Sequence, residues 1–169
     1  MTIIVIEGID GSGKTTLAKR LATELGYTYR HYPYDLDQKL ANHNLQLAMA
    51  YDLIENPPTP DQDWVLDRYL PSSLVYGMPL NLYLQTANRL PMANISILLD
   101  VSAQVSLDRA IARAEVDPLG YDLASLGVKQ ELINGYHQLG WDIVINANLT
   151  QNMVYSQLLT QLKEKRLCC

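Results

Sequence analysis

Phenylalanine is missing from this sequence altogether, and cysteine nearly so: Cys168 and Cys169 are adjacent and terminal. Neighbouring cysteines cannot staple distant segments, so a disulfide-built fold is excluded and no oxidising compartment is implied. A terminal pair raises the question of lipidation, but the four-residue prenylation box needs a cysteine at 166, where Arg166 stands. Long hydrophobic runs are missing too. The apolar run Ile3 to Ile6 is far too short to cross a bilayer and follows no basic leader, so neither a span nor a signal peptide is expected. Positive charge is also short: 13 basic residues against 18 acidic leave a net charge of −5. That speaks against a broad basic face for nucleic acid. The expectation is a cytoplasmic protein with no membrane or nucleic-acid partner. A small anionic ligand held by a few placed cations stays compatible.

What the chain does have is apolar material in an ordered pattern. With 169 residues, 48% hydrophobic and 18% charged, it suits one domain over 1–169 with a sizeable core. Short β-branched runs alternate with helical periodicity. Strands are expected at Thr2–Glu7, Tyr27–Tyr32, Trp64–Asp67, Ile95–Val101 and Asp142–Asn146. Helices are expected at Lys14–Leu25, Leu36–Ile54, Ser72–Arg89, Ser102–Arg113, Leu123–Leu139 and Thr150–Arg166, with an irregular excursion over Glu115–Tyr121. Such alternation predicts an α/β fold: a five-stranded parallel sheet with helices on both faces, in three layers.

The stretch Gly8 to Thr15, "GIDGSGKT", fills every position of G-x-x-x-x-G-K-[ST] directly after a strand and at the opening of a helix. Gly8, Gly11 and Gly13 let main-chain N–H groups turn inward around phosphate oxygens. The helix that follows adds the positive end of its dipole. Lys14 is expected at the β and γ phosphates and Thr15 at Mg²⁺, with Asp10, Ser12 and Thr16 completing a donor site for ATP. A second informative stretch is "VLDRYLPSSLVYG", Val65 to Gly77. An acidic residue ending a buried strand faces the carboxyl edge of the sheet, where ligands bind. Asp67 is therefore a candidate for holding a Mg²⁺-bound water, and Arg68 for reaching phosphate oxygens at the point of transfer. The histidines His31, His43 and His137 lack metal-ligand spacing and read as ordinary surface or loop residues.

Together these stretches resemble the thymidylate kinase family of P-loop nucleoside monophosphate kinases. The family's "EGxDGxGKTT" matches Glu7–Thr16. Its D-R-Y segment matches Asp67, Arg68, Tyr69, Ser72, Ser73 and Tyr76, and its arginine-bearing lid matches "DRAIARAEVDPLGYD", with the lid at about 109–122. The resemblance implies a P-loop kinase fold and Mg²⁺-dependent transfer from ATP to a deoxynucleoside monophosphate, first dTMP. It further implies Asp10 beside the acceptor's 3′-hydroxyl, Arg68 on the acceptor phosphate, Ser73 where a base-reading residue sits, and Ser72 beside it in the substrate site. Tyr76 would crowd the ribose 2′ position, and Arg109 or Arg113 would close on the transferring group. A homodimer packed through helices such as Leu36–Ile54 and Ser72–Arg89 is implied as well.

Two departures stand out. Asp35 occupies the position of the family's phosphate-gripping arginine, and Asp52 that of a second arginine in the next helix, where, with no phenylalanine in the chain, Tyr51 or another of the 11 tyrosines must replace the family's stacking aromatic. At an effective dielectric near 20, like charges ~4 Å apart cost roughly 4 kcal/mol. Arg30 and Lys39 are the flanking candidates for compensation. The same departures point to an alternative, a deoxyribonucleoside kinase in which Asp35 or Asp37 takes the proton of a nucleoside 5′-hydroxyl. A further alternative is a P-loop protein that binds nucleotide without transferring phosphate.

Overall fold

The computed structural model describes residues 1–32, 53–114 and 125–165. Five strands, β1 (Ile3–Glu7), β2 (Thr28–His31), β3 (Trp64–Asp67), β4 (Ile95–Asp100) and β5 (Ile143–Asn146), form one sheet in the order β2-β3-β1-β4-β5. Every pairing is parallel. β1 lies at the centre, and its alternation supplies both core layers. Ile4 and Ile6 pack with Leu17, Leu21, Ile97 and Leu158 on one face, while Ile3 and Val5 pack with Tyr32, Leu53, Leu66 and Leu90 on the other. A strand covered on both faces has no reason to alternate apolar with polar, which is why "IIVI" reads as a continuous run.

Helices α1 (Lys14–Leu25), α2 (Leu70–Val75), α3 (Leu80–Ala87), α4 (Ala103–Ala114), α5 (Leu126–His137) and α6 (Gln151–Glu164) surround the sheet. α1 begins at Lys14 and ends at Gly26, which takes the left-handed conformation (φ 69°) and donates its N–H to the last-turn carbonyls. The expected single helix Ser72–Arg89 is corrected here: α2 and α3 are separate. Gly77 at φ 95° turns the chain out of the helix, and Pro79, lacking an N–H, precedes α3 as its N-cap. The expected helix Leu36–Ile54 falls almost wholly outside the described residues, as does the excursion Glu115–Tyr121.

The register brings the chemistry to one edge. Ile6 of β1 and His31 of β2 are both partners of Asp67 of β3. The carboxyl ends of β2, β3 and β1 therefore sit together, next to the loop that links β1 to α1. In an open parallel sheet this is where ligands bind, because chains leaving neighbouring strands diverge and open a crevice.

Candidate active site

The phosphate loop is a cradle that side chains would fill. A Cβ at Gly8 (φ 142°) would meet the Leu99 carbonyl at 2.7 Å, and one at Gly11 (φ 79°) would meet the Ser106 carbonyl at 2.6 Å. Glycine is required at both on two counts, conformation and space. Lys14 folds back over this loop and donates Nζ–H to the Ile9 carbonyl at 2.8 Å. Burial, helped by the nearby Arg68 charge, pushes its ammonium down to about 8, although Asp10 and Asp67 oppose the shift.

Thr15 and Asp67 meet beside the loop, the hydroxyl donating to Oδ2 at 2.6 Å. Tyr29 donates to the same oxygen at 3.3 Å, and His31 Nδ1 lies 2.9 Å from it. His31 is thus no ordinary surface residue, a correction that the strand register explains. The other carboxylate oxygen, Oδ1, is buried without a hydrogen-bond partner among the described residues. Burial alone would raise the Asp67 carboxyl, but the His31 hydrogen bond, Lys14 and Thr15 outweigh it and hold the group low. A hydroxyl beside an ionised carboxylate with a free oxygen is an all-oxygen donor set of the kind that hard divalent cations take.

Arg68 is the one non-glycine residue with positive φ among those described, at 73°. That conformation costs roughly 1–2 kcal/mol, and the contacts around it hold it in place. Its N–H donates to the Ile6 carbonyl at 3.1 Å, Nη1 donates to Ser72 Oγ at 3.2 Å, and Nη2 pairs with Asp10. The next N–H, of Tyr69, donates to Glu7 Oε1 at 2.8 Å, and the Ser72 hydroxyl donates to Glu7 Oε2 at 2.5 Å. Glu7, fully buried at the end of β1, therefore anchors the opening turn of α2. Burial pushes its carboxyl above the usual range, against the lowering effects of Ser72 and Arg68.

Asp10 lies between Arg68 and Lys14, whose Nζ is 3.8 Å from Oδ1. Burial would raise this carboxyl, but Arg68, Lys14 and Lys129 hold it below its ordinary value. Arg68 also sits over the Tyr76 ring, 5.3 Å from its centroid, and burial pushes the Tyr76 phenol up to about 12. Ser72 and Ser73 are both fully buried. Ser72 is spent on the Glu7 network, whereas Ser73 Oγ has no hydrogen-bond partner among the described residues.

On the opposite side of the loop, Arg109 of α4 donates to the carbonyls of Gly11 (3.1 Å), Ala147 (2.9 Å) and Leu149 (3.3 Å). Those bonds fix its guanidinium as a wall of a cavity of about 290 Å³, which Ser12, Thr16, Arg113 and Tyr155 also line. Burial, followed by the Arg113 charge, lowers the pKa of Arg109. Gly11, Ser12 and Gly13 also line it, so the cavity is continuous with the phosphate loop and close to the size of a small-ligand site.

No family model matches the chain. Curated relatives do. A probable thymidylate kinase of Metallosphaera sedula is 34% identical over an alignment of 128 residues, covering 64% of this chain and 65% of the relative. A thymidylate kinase of Xanthomonas euvesicatoria is 31% identical over 140, covering 67% and 62%. The chain thus spans a little under two thirds of the length of these two. A probable thymidylate kinase of Methanococcus maripaludis is 26% identical over 194, covering 96% and 95%. The chain is similar to thymidylate kinases. Among solved structures, deoxyadenosine kinase from M. mycoides with bound dATP superposes with a TM-score of 0.73 over 96% of this chain and all of that one, at 18% identity. That likeness concerns the fold, a P-loop kinase sheet.

In this thymidylate kinase-like frame, the structure brings Asp10, Lys14, Thr15, Asp67, Arg68 and Tyr76 together. Arg109 and Arg113 stand across the loop from them. Asp35, Asp37, Lys39, Tyr51 and Asp52 lie outside the described residues. Arg30 is drawn over the Tyr32 ring, 4.6 Å from its centroid. Sequence reasoning missed Glu7, His31, Ser106 and Lys129. Glu7 had a signal, an acidic residue ending an otherwise apolar buried strand. The other three had none, because their partners are distant in sequence.

Proposed function

We propose that this protein transfers the γ-phosphoryl group of ATP to a deoxynucleoside monophosphate, with dTMP as first acceptor. The observation that carries this reading is the meeting of Asp10, Lys14 and Arg68 at the mouth of the phosphate loop. It joins the donor loop to the D-R-Y segment through one exchangeable carboxylate. The Asp10 side chain, nearly half exposed at 46%, stands where an anionic substrate oxygen would meet both cations. Lys14 supplies charge in a low-dielectric setting, where it favours the transition state more than the ground state. Arg68, held rigid by Ser72 and the Glu7 anchor, orients the acceptor oxygen without reorganising. The Tyr76 ring beneath Arg68 fits a role in excluding a ribose 2′-hydroxyl, and the unspent Ser73 hydroxyl fits one in reading a base. Thr15 and Asp67 fit the donor set that Mg²⁺ takes, and the bound ion would supply charge neutralisation of the phosphates. Arg109 and Arg113 would grip the donor nucleotide. The names of the curated relatives support the acceptor class. A homodimer in the cytoplasm belongs to the same reading, and exposed Leu80 (61%) and Leu84 (52%), one turn apart on α3, suit a subunit contact.

The test is a panel of the four deoxynucleosides and their monophosphates with ATP and Mg²⁺. Turnover of a pyrimidine monophosphate, little turnover of nucleosides and poor use of ribonucleotides are expected. Strong nucleoside turnover, abolished by Asp35→Asn, would replace this reading with the deoxyribonucleoside kinase. Absence of ADP formation with every acceptor would leave a nucleotide-binding protein that transfers nothing.

A further inference from the structure

Three cations converge on Asp10, and only two belong to the motifs that define the site. The third, Lys129 of α5, arrives from behind. It is 2% exposed, and its Nζ donates to Ser106 Oγ at 3.1 Å. Ser106 in turn donates to the main-chain carbonyl of Asp10. An ammonium can only donate, so the Ser106 hydroxyl must accept from Lys129 and direct its own proton to Asp10. Among the described residues no carboxylate forms an ion pair with Lys129. A buried ammonium held by one neutral hydroxyl is costly, and it persists where its charge is used.

The surrounding carboxylates do not absorb that charge. Asp67 is engaged by Thr15 and His31. Glu7 is pushed by burial toward its neutral form. Asp10 is shared with Arg68 and Lys14. The field at the Asp10 carboxylate is therefore more positive than the D-R-Y segment and the phosphate loop produce by themselves.

We propose that Lys129 is a specificity-determining cation on the acceptor side, whose buried charge favours an acceptor ending in a phosphate over one ending in a hydroxyl. It rests on the reading of a monophosphate acceptor near Asp10 and Arg68. Lys129 acts through the field and through Ser106, without touching the acceptor, so it is a positioning residue rather than a catalytic one.

Isothermal titration of dTMP and of thymidine into the full-length protein, without ATP or Mg²⁺, tests this in the wild type and in Lys129→Gln. Glutamine keeps a donor for Ser106 and removes only the charge. The wild type should bind dTMP more tightly than thymidine. Lys129→Gln should weaken dTMP by about tenfold or more and leave thymidine within about twofold, because only the phosphate carries charge for the buried ammonium to attract. ADP affinity and the thermal midpoint report whether the variant is folded. Should it not fold, Lys129→Met, which removes the buried charge without adding a polar group, is titrated in the same way with the same expectation. A wild-type ratio of dTMP to thymidine affinity in either folded variant overturns the proposal while the monophosphate reading stands. If the wild type itself binds thymidine as tightly as dTMP, the monophosphate reading falls and the proposal falls with it.

Discussion

At the scale of single residues, the site is a set of buried charges whose states are set by neighbours. Lys14 is the most exposed to test. Removing an interaction that grows as charge develops should lower kcat more than nucleotide affinity. For Lys14→Ala a loss of roughly 10²-fold or more in kcat is expected, and steady-state kinetics beside ADP titration separates the two; unchanged turnover would defeat the phosphate-loop reading. Glu7 makes a different prediction. Its carboxyl is raised above its ordinary 4.5 chiefly by burial. The unfolded chain releases that proton near 4.5, so above this pH the native state holds the extra proton. Stability from this group is full below 4.5 and is lost as pH rises through the folded pKa. Glu7→Gln removes the titration, so the wild type should lose stability relative to Glu7→Gln as pH rises from 4.5. The slope should be at most about 1.4 kcal/mol per pH unit. Urea unfolding of both proteins at several pH values reads this directly, and a constant difference would show that the carboxyl is not shifted.

At the scale of elements, the loop after β1 and the helices beside it form one packed unit. Gly11 is where they touch, and Gly11→Ala combines a φ of 79° with a Cβ 2.6 Å from the Ser106 carbonyl. The loop would have to leave α4, carrying Asp10 away from Ser106. We expect loss of measurable ADP binding and destabilisation of about 1–3 kcal/mol, read by calorimetry and thermal unfolding. A variant with wild-type ADP affinity would show that the loop does not depend on this contact. Elsewhere, α5 approaches α2 through Gly135, where a Cβ would come 3.2 Å from Val75 Cγ1. The close approach lets Tyr136 reach Ser72 at 2.8 Å. One helix behind the sheet thereby braces the turn that carries Arg68.

For the whole molecule, the parallel sheet collects strand ends from distant parts of the chain at one edge. Asp67 is the partner of both Ile6 and His31 in register, so a slip of β2 by one residue would break the His31 contact. Leu80 and Leu84 on α3 are exposed large apolar side chains, as is Met92, 87% exposed, in the segment that follows. Sedimentation at micromolar concentration should show twice the 19.0 kDa chain mass. A monomer mass would end the dimer reading, and Leu84→Glu should shift the protein toward the monomer without unfolding it.

The sequence alone determined the sheet, α1 and the phosphate loop. Those features are local: a β-branched run, a 3.6-residue period and a glycine pattern each speak through neighbouring residues. Trp64–Asp67 and Lys14–Leu25 emerge with the bounds their patterns predict. The tertiary structure decided the break between α2 and α3, the anchoring of α2 by Glu7 across 62 residues to Tyr69, the contact of His31 with Asp67, and the approach of Lys129 to Asp10. Each depends on burial and on partners brought together by folding, which no spacing in the chain encodes. Motif chemistry is legible in sequence because phosphate binding uses consecutive main-chain groups. The charge balance around Asp10 is not, because it sums over side chains from separate elements.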